Sequence, residues 1–80
     1  MRIPRDISGD QLAKRLSRFG YVSTRQTGSH VRLTTQRAGE HHITIPAHDP
    51  VRVGTLNAII LDAAAHLNVS KEDVLRKILD

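Results

Sequence analysis

The 80-residue chain has no cysteine and no tryptophan, and it contains one phenylalanine and one tyrosine. Without cysteine it can form no disulfide, no thiolate metal site and no cysteine nucleophile. With so few aromatic side chains, its core must be built from leucine, isoleucine, valine and alanine. A chain of this length makes one small domain, which we expect to span residues 1–80.

A long hydrophobic run is also missing. The most apolar segment, residues 56–67, is interrupted by Asp62 and His66, and it is far shorter than the ~20 residues that span a bilayer. The first ten residues, MRIPRDISGD, hold no apolar run of the kind found in secretory signal peptides. We therefore expect a cytoplasmic protein that does not interact with membranes.

Acidic residues are scarce in the first two thirds of the chain. Nine of the twelve basic residues precede Gly54, against four of the eight acidic residues, and nine of the twelve are arginine. Arginine suits bidentate contacts with phosphate. This charge distribution and the pI of about 10.4 favour a polyanionic partner over a surface that is merely basic.

Periodicity predicts an α+β fold with the order α-β-β-β-α and a short additional C-terminal helix. Ser8 and Gln11 have the spacing of a helix capping box, and Gly20 is suited to end that helix. Three runs with strand composition and tight turns between them predict a three-stranded antiparallel sheet. The predicted strands are 21–26, 29–35 and 40–46, the second helix begins near Gly54, and the third helix spans 70–79.

Alternation along the second and third strands predicts a sheet with one buried and one open face. Val31 and Leu33 point together toward the helices. The open face is predicted to carry only polar side chains from these strands, namely His30, Arg32, Thr34, His42 and Thr44. Such a face is a candidate surface for binding and chemistry.

Three motifs carry a family resemblance. They are RQTGSH at residues 25–30, TIPAHD at 44–49 and VGTLNAII at 53–60. In this order and spacing they resemble the HicA-type toxins, also called the YcfA-like family, over about residues 8–67. The resemblance implies a fold like that of double-stranded-RNA-binding domains and a ribonuclease that cuts messenger RNA. It also implies a HicB-type antitoxin partner, and a catalytic histidine after the Gly-Ser pair, which is His30 here.

His30 is suited to ribonuclease chemistry. RNA supplies its own nucleophile, the 2′-OH, so the protein needs only to move protons and to neutralise charge on the phosphate. A histidine titrates near ~6.5 and can act as base or acid at neutral pH. On composition alone His30 would be taken as an ordinary surface histidine, but the family resemblance favours a metal-independent endoribonuclease that needs no cofactor and is a monomer when free. The alternative is a non-catalytic RNA-binding module in which His30 is an ordinary surface residue.

Five further residues are predicted to contact RNA: Arg25, Gly28, Ser29, Arg32 and His42. The two arginines are candidate phosphate clamps. Gly28 permits the positive φ of a turn and lets a phosphate approach backbone N–H groups, and the Ser29 hydroxyl can add a hydrogen bond. His42 shares the predicted open face with His30 and is a candidate second proton-transfer group.

A metal site is not predicted, although His41, His42 and His48 invite that interpretation. Alternation sends His41 and His42 to opposite faces, and zinc needs convergent ligands. The second predicted helix contains no lysine or arginine, whereas double-stranded-RNA-binding domains grip phosphates from the start of that helix. The basic surface is instead expected on the first helix and the sheet.

Overall fold

The computed structural model describes residues 3–79 and confirms the predicted α+β order. The elements are α1 (Gly9–Leu16), a 3₁₀ turn (Ser17–Phe19), β1 (Val22–Thr27), β2 (His30–Thr35), β3 (His41–Pro46), α2 (Val53–Leu67) and α3 (Lys71–Leu79). The strands form one antiparallel sheet in the order β1-β2-β3, as predicted. The predicted domain span of 1–80 extends outside the described residues at Met1, Arg2 and Asp80. Within residues 3–79, no helix has the length and apolar character needed to cross a membrane.

The start of α1 is fixed by its cap and by close packing on the end of β3. The capping box forms as predicted: the Gln11 N–H donates to the Ser8 hydroxyl at 3.1 Å, and the Ser8 N–H donates to the Gln11 side chain at 2.9 Å. A Cβ at Gly9 would overlap the carbonyl oxygen of Pro46. The Gly9 N–H also donates to the carbonyl of His48 at 2.8 Å. Only glycine therefore fits here, and it holds the segment after β3 against α1.

The hydrophobic core lies between the helices and one face of the sheet, and α3 contributes to it fully. From β2 and β3 it takes Val31, Leu33, Ile43 and Ile45, and from α3 it takes Val74, Leu75 and Ile78. Apolar burial is the main favourable contribution to folding. The C-terminal helix is thus part of the fold's core and not an appendage to it.

Two arginines of the first helical segment fasten α3 in place. Arg15 donates from Nη1 to the carbonyl of Ile78, and Arg18 donates from Nη1 to the carbonyl of Lys77 at 2.6 Å. The last carbonyls of a helix have no partner within the helix, and positive charge is favourable there. These two guanidinium groups of the first helical segment therefore have backbone partners in α3, while Arg18 stays exposed.

Candidate functional site on the open sheet face

The register of the sheet arranges the polar residues of the open face in rows. Thr27 on β1, His30 on β2 and Pro46 on β3 form the row next to the β1–β2 turn. The next row holds Arg25, Arg32 and Thr44. Buried and exposed residues alternate along β2 and β3, so the predicted open face, with His30 and Arg32 on it, forms as the sequence pattern indicated.

His30 is the first residue of β2 and its side chain is exposed. It follows the turn at Gly28, whose φ of 55° is the left-handed conformation expected there. Ser29 lies between Gly28 and His30, and its carbonyl accepts a 2.6 Å hydrogen bond from the N–H of Ala47. The turn is thereby tied to the segment after β3, which α1 holds in turn. The backbone beneath His30 is therefore well anchored, while its imidazole has no hydrogen-bonding partner among residues 3–79.

Arg25 and Arg32 are directly opposite each other on β1 and β2. Both are exposed, and neither forms an ion pair within the described part of the chain. Like charges placed opposite each other destabilise an antiparallel pair. Arg32 is two residues from His30, about 7 Å along the same face. An anion bound between the two guanidinium groups would relieve their repulsion and would lie beside the imidazole.

A hydrogen-bonded chain crosses the other end of the open face. The hydroxyls of Thr24 and Thr34 are 2.9 Å apart, and the Thr34 hydroxyl is 2.8 Å from Nδ1 of His42. Nε2 of His42 is 3.1 Å from a carboxylate oxygen of Glu40. Hydrogen bonds from Gln36 and then from His42 hold the pKa of Glu40 below its ordinary value. His42 is therefore an oriented side chain with both ring nitrogens engaged.

The separation of His42 from His30 limits what the two can do together. His42 pairs with Thr34, four residues along β2 from His30, which is about 13 Å of strand. Proton transfer needs a heavy-atom distance of ~2.6–3.2 Å. The two imidazoles therefore cannot act on the same phosphate, and the geometry does not support His42 as a partner of His30 in proton transfer.

A second group of titratable side chains lies on the helix side of the sheet. Nδ1 of His41 is 2.8 Å from the Tyr21 hydroxyl, and its Nε2 is 3.2 Å from a carboxylate oxygen of Asp62 on α2. The ring of His66 stacks on that of His41 with centroids 4.3 Å apart. Burial, and then the negative charge of Asp62, raise the pKa of Tyr21 to about 12. Because both ring nitrogens of His41 are occupied, this cluster joins β3 to α2 and offers no open site.

The histidines of the described chain form no metal-type cluster. His41 and His42 point to opposite sides of the sheet, as alternation predicts, and His66 donates from Nε2 to the carbonyls of Arg37 and Gly39. Residues 3–79 contain no group of three or more His, Asp or Glu side chains placed to hold a metal ion. The Tyr21–His41–Asp62 contacts join the segment before β1 to β3 and α2. The three residues are far apart in the sequence, so no spacing pattern predicts these contacts.

A comparison with protein families identifies the chain. A family model described as the HicA toxin of bacterial toxin–antitoxin systems matches residues 9–65, well over half of the sequence. The chain belongs to the HicA toxin family. The match runs from the first residue of α1 almost to the end of α2 and includes the RQTGSH motif and His30, as the sequence resemblance indicated. Comparisons with curated proteins and with solved structures gave no match.

Membership of the HicA family has two consequences. It makes the protein a toxin-type component of a toxin–antitoxin system, which implies an antitoxin as its partner. It also separates α3 from the family core, because the match ends at residue 65 and α3 begins at Lys71. In this HicA protein the additional helix nevertheless fills part of the core and is held by Arg15 and Arg18.

Proposed function

We propose that this HicA toxin is a metal-independent endoribonuclease that cleaves messenger RNA, with His30 as its acid–base group. The observation that carries the proposal is the placement of an exposed imidazole one row from two facing, unpaired arginines on an open sheet. Members of the HicA family are generally mRNA-cleaving toxins. The imidazole and the two guanidinium groups match what RNA cleavage requires.

The chemistry follows from the RNA itself. The 2′-oxygen attacks the adjacent phosphorus, the bond to the 5′-oxygen breaks, and a 2′,3′-cyclic phosphate forms. His30 accepts the 2′-OH proton while water protonates the leaving 5′-oxygen, or His30 protonates that oxygen while water accepts the 2′-OH proton. Arg25 and Arg32 balance the charge that grows on the phosphate. One such proton-transfer group contributes ~10²–10⁴-fold. With one proton-transfer group assigned, we expect a slow nuclease.

The remaining contacts to RNA extend from this centre along the open face. The turn at Gly28 has open space around it, since a Cβ there would meet nothing within 4 Å, so a phosphate can approach its backbone. Ser29 is exposed beside it and can add a hydrogen bond. His42, at the opposite end of the face, contacts a more distant part of the bound RNA. Together these residues define an RNA path that leads from the turn across β2 to β3.

A non-catalytic RNA-binding module is the second candidate function. The observation that favours it is that the His30 imidazole has no orienting partner among residues 3–79. A general base is commonly held in place by a second group, and the described part of the chain places none beside His30. In that case the open face would bind RNA through its arginines without cleaving it.

The deciding experiment compares His30→Ala with His42→Ala. Purified protein is incubated with RNA in chelator, and both cleavage and RNA affinity are measured. His30→Ala should cut RNA at least ~10²-fold more slowly and should still bind it. Its free energy of unfolding should lie within about 0.5 kcal/mol of the parent's, as expected for an exposed residue. His42→Ala, the matched exposed histidine, should still cleave.

Two outcomes would decide against the proposal. If His30→Ala cleaves as fast as the parent, His30 is not the acid–base group. If the parent binds RNA and does not cleave it in chelator, the non-catalytic function is correct or a metal ion is needed, and restoring Mg²⁺ separates these two.

A further inference from the structure

β1 is an edge strand with no cover on either side. It lies at the end of the sheet order, and all six of its residues are exposed. Its outward-facing N–H and C=O groups are not used in backbone hydrogen bonds to other elements of the described chain. Ser23 and Gln26, which pair with the core residues Leu33 and Val31, are themselves exposed. The helical layer therefore leaves most of β1 uncovered, although α1 lies beside its first residues.

A groove runs between α1 and this uncovered strand. It has a volume of about 300 Å³ and a mostly apolar lining, which includes Ala13, Lys14, Ser17, Tyr21, Ser23 and Leu33. Its floor is the edge of the hydrophobic core, and its outer wall is β1. An exposed strand edge beside an apolar groove is the arrangement that binds extended peptides by strand addition, with backbone hydrogen bonds along the edge and side chains in the groove.

The cations on the two sides of β1 favour an acidic occupant. Lys14 lines the groove, Arg25 projects from the opposite, open face of β1, and no acidic residue is among the groove's lining. A second copy of the chain would place its own Lys14 and Arg25 near the same residues of the first, and this like-charge contact is unfavourable. RNA fits poorly, because the one aromatic ring at the groove belongs to Tyr21, which is fully buried and cannot stack on a base.

We propose that β1 accepts an extended, acidic segment of the antitoxin as a fourth strand, with one apolar side chain in the α1–β1 groove and a carboxylate on Arg25. The identity of the partner rests on the proposed toxin function, whereas the docking surface itself does not. The register shift between Ser23 and Arg25 is a bulge, a device that discourages pairing locally. Pairing is therefore expected over Arg25–Thr27, after the bulge.

This docking mode would also control access to the catalytic row. Thr27 pairs with His30, so a strand added to β1 lies two strand spacings, about 9.6 Å, from β2. A carboxylate from that strand would occupy Arg25 in place of an RNA phosphate. The antitoxin would then block one half of the arginine pair without filling the whole open face.

The test uses the purified antitoxin and substitutions at Ser23, an exposed residue of the groove wall. All variants carry His30→Ala, so that affinity is measured independently of cleavage. Ser23→Glu should weaken antitoxin binding by about tenfold or more through like-charge repulsion, whereas Ser23→Lys should bind as tightly as the parent or more tightly. Ala65→Glu, on the exposed side of α2, is the control for adding one negative charge elsewhere and should leave affinity unchanged.

Hydrogen exchange in the complex supplies a second readout. The amides of residues 25–27 that point away from β2 should exchange more slowly in the complex than in the free toxin. The proposal is overturned if these amides are not protected, or if Ser23→Glu and Ser23→Lys weaken antitoxin binding equally. It is also overturned if Ser23→Glu lowers the affinity for an RNA oligonucleotide and leaves the affinity for the antitoxin unchanged. Ser23→Glu made in the protein that keeps His30 should cleave RNA as fast as the parent. The cleavage assay therefore tests the ribonuclease proposal separately from the binding assay, which tests the docking surface.

Discussion

Replacing Arg25 with threonine should stabilise the protein while weakening its hold on RNA. Arg25 and Arg32 face each other with no ion-pair partner among the described residues. Like charges directly opposite on antiparallel strands cost roughly 0.2–1 kcal/mol. Two charges ~8 Å apart in water repel by about 0.5 kcal/mol, which lies inside that range. Threonine is β-branched and suits a strand, so the substitution removes the charge and keeps the sheet.

Thermal melting measures the stability change. At low salt, the melting temperature of Arg25→Thr should rise by about 2–4 °C, because 1 kcal/mol moves the midpoint of a domain of this size by ~4–8 °C. The gain should shrink above ~0.1 M salt, where exposed charges about 10 Å apart are screened. Arg5→Thr removes an exposed arginine outside the sheet and controls for the loss of one positive charge.

RNA titrations measure the functional cost of the same substitution. Each phosphate contact that is lost should reduce the slope of log affinity against log salt by ~0.7 for a single strand. Arg25→Thr should therefore bind RNA more weakly than Arg5→Thr and show the flatter salt dependence. If Arg25→Thr melts below Arg5→Thr at low salt, the two facing arginines do not destabilise the sheet. If its salt slope equals that of the parent, Arg25 does not bind a phosphate.

Three further predictions concern the scaffold. Tyrosinate absorbance should report ionisation of Tyr21, the one tyrosine, near pH 12 instead of its ordinary 10.0. The stability that this raised pKa confers is fully present below pH 10 and is lost as the pH rises to about 12. Asp62→Asn should lower the pKa of Tyr21, because the negative charge of Asp62 contributes to the shift. Replacing Arg15 and Arg18 together with methionine should reduce the free energy of unfolding by about 1–2 kcal/mol, seen in urea denaturation, and should leave the RNA salt slope close to the parent's. Gly9→Ala should lower the unfolding midpoint by an amount equivalent to ~1–3 kcal/mol, although alanine is the better helix former, because its methyl group would displace the end of β3.

The parts of the site that lie on regular strands were predictable from the sequence. A strand has a period of two, so buried Val31 and Leu33 fix His30 and Arg32 on the other face. The pairing of Arg25 with Arg32 was also within reach, because a two-residue turn at 28–29 sets residue 27 opposite 30 and therefore 25 opposite 32. These features depend on local geometry alone, and local geometry is what a sequence pattern encodes.

The features that depend on how separate elements pack were not predictable. Arg15 and Arg18 have the same sequence character as Arg25 and Arg32, yet they reach carbonyls of a helix some 60 residues away. That contact requires α3 to end beside α1, which no local pattern specifies. The distance between His30 and His42 likewise required the β2–β3 register, since sharing a face says nothing about separation along it.

If the open sheet face binds RNA as proposed, the contacts that the arginines already make predict how strongly that binding depends on salt. Net charge and pI count every cation alike, but Arg15 and Arg18 already satisfy the end of α3, and Arg76 pairs with Asp73 at 3.2 Å. Arg25 and Arg32 form the facing pair on the open face beside His30. Two phosphate contacts give a salt slope of about −1.4 for a single strand, and a helix-one surface that joined them would make it markedly steeper. The parent's slope in the titration with Arg25→Thr therefore tests whether the sheet alone carries the RNA.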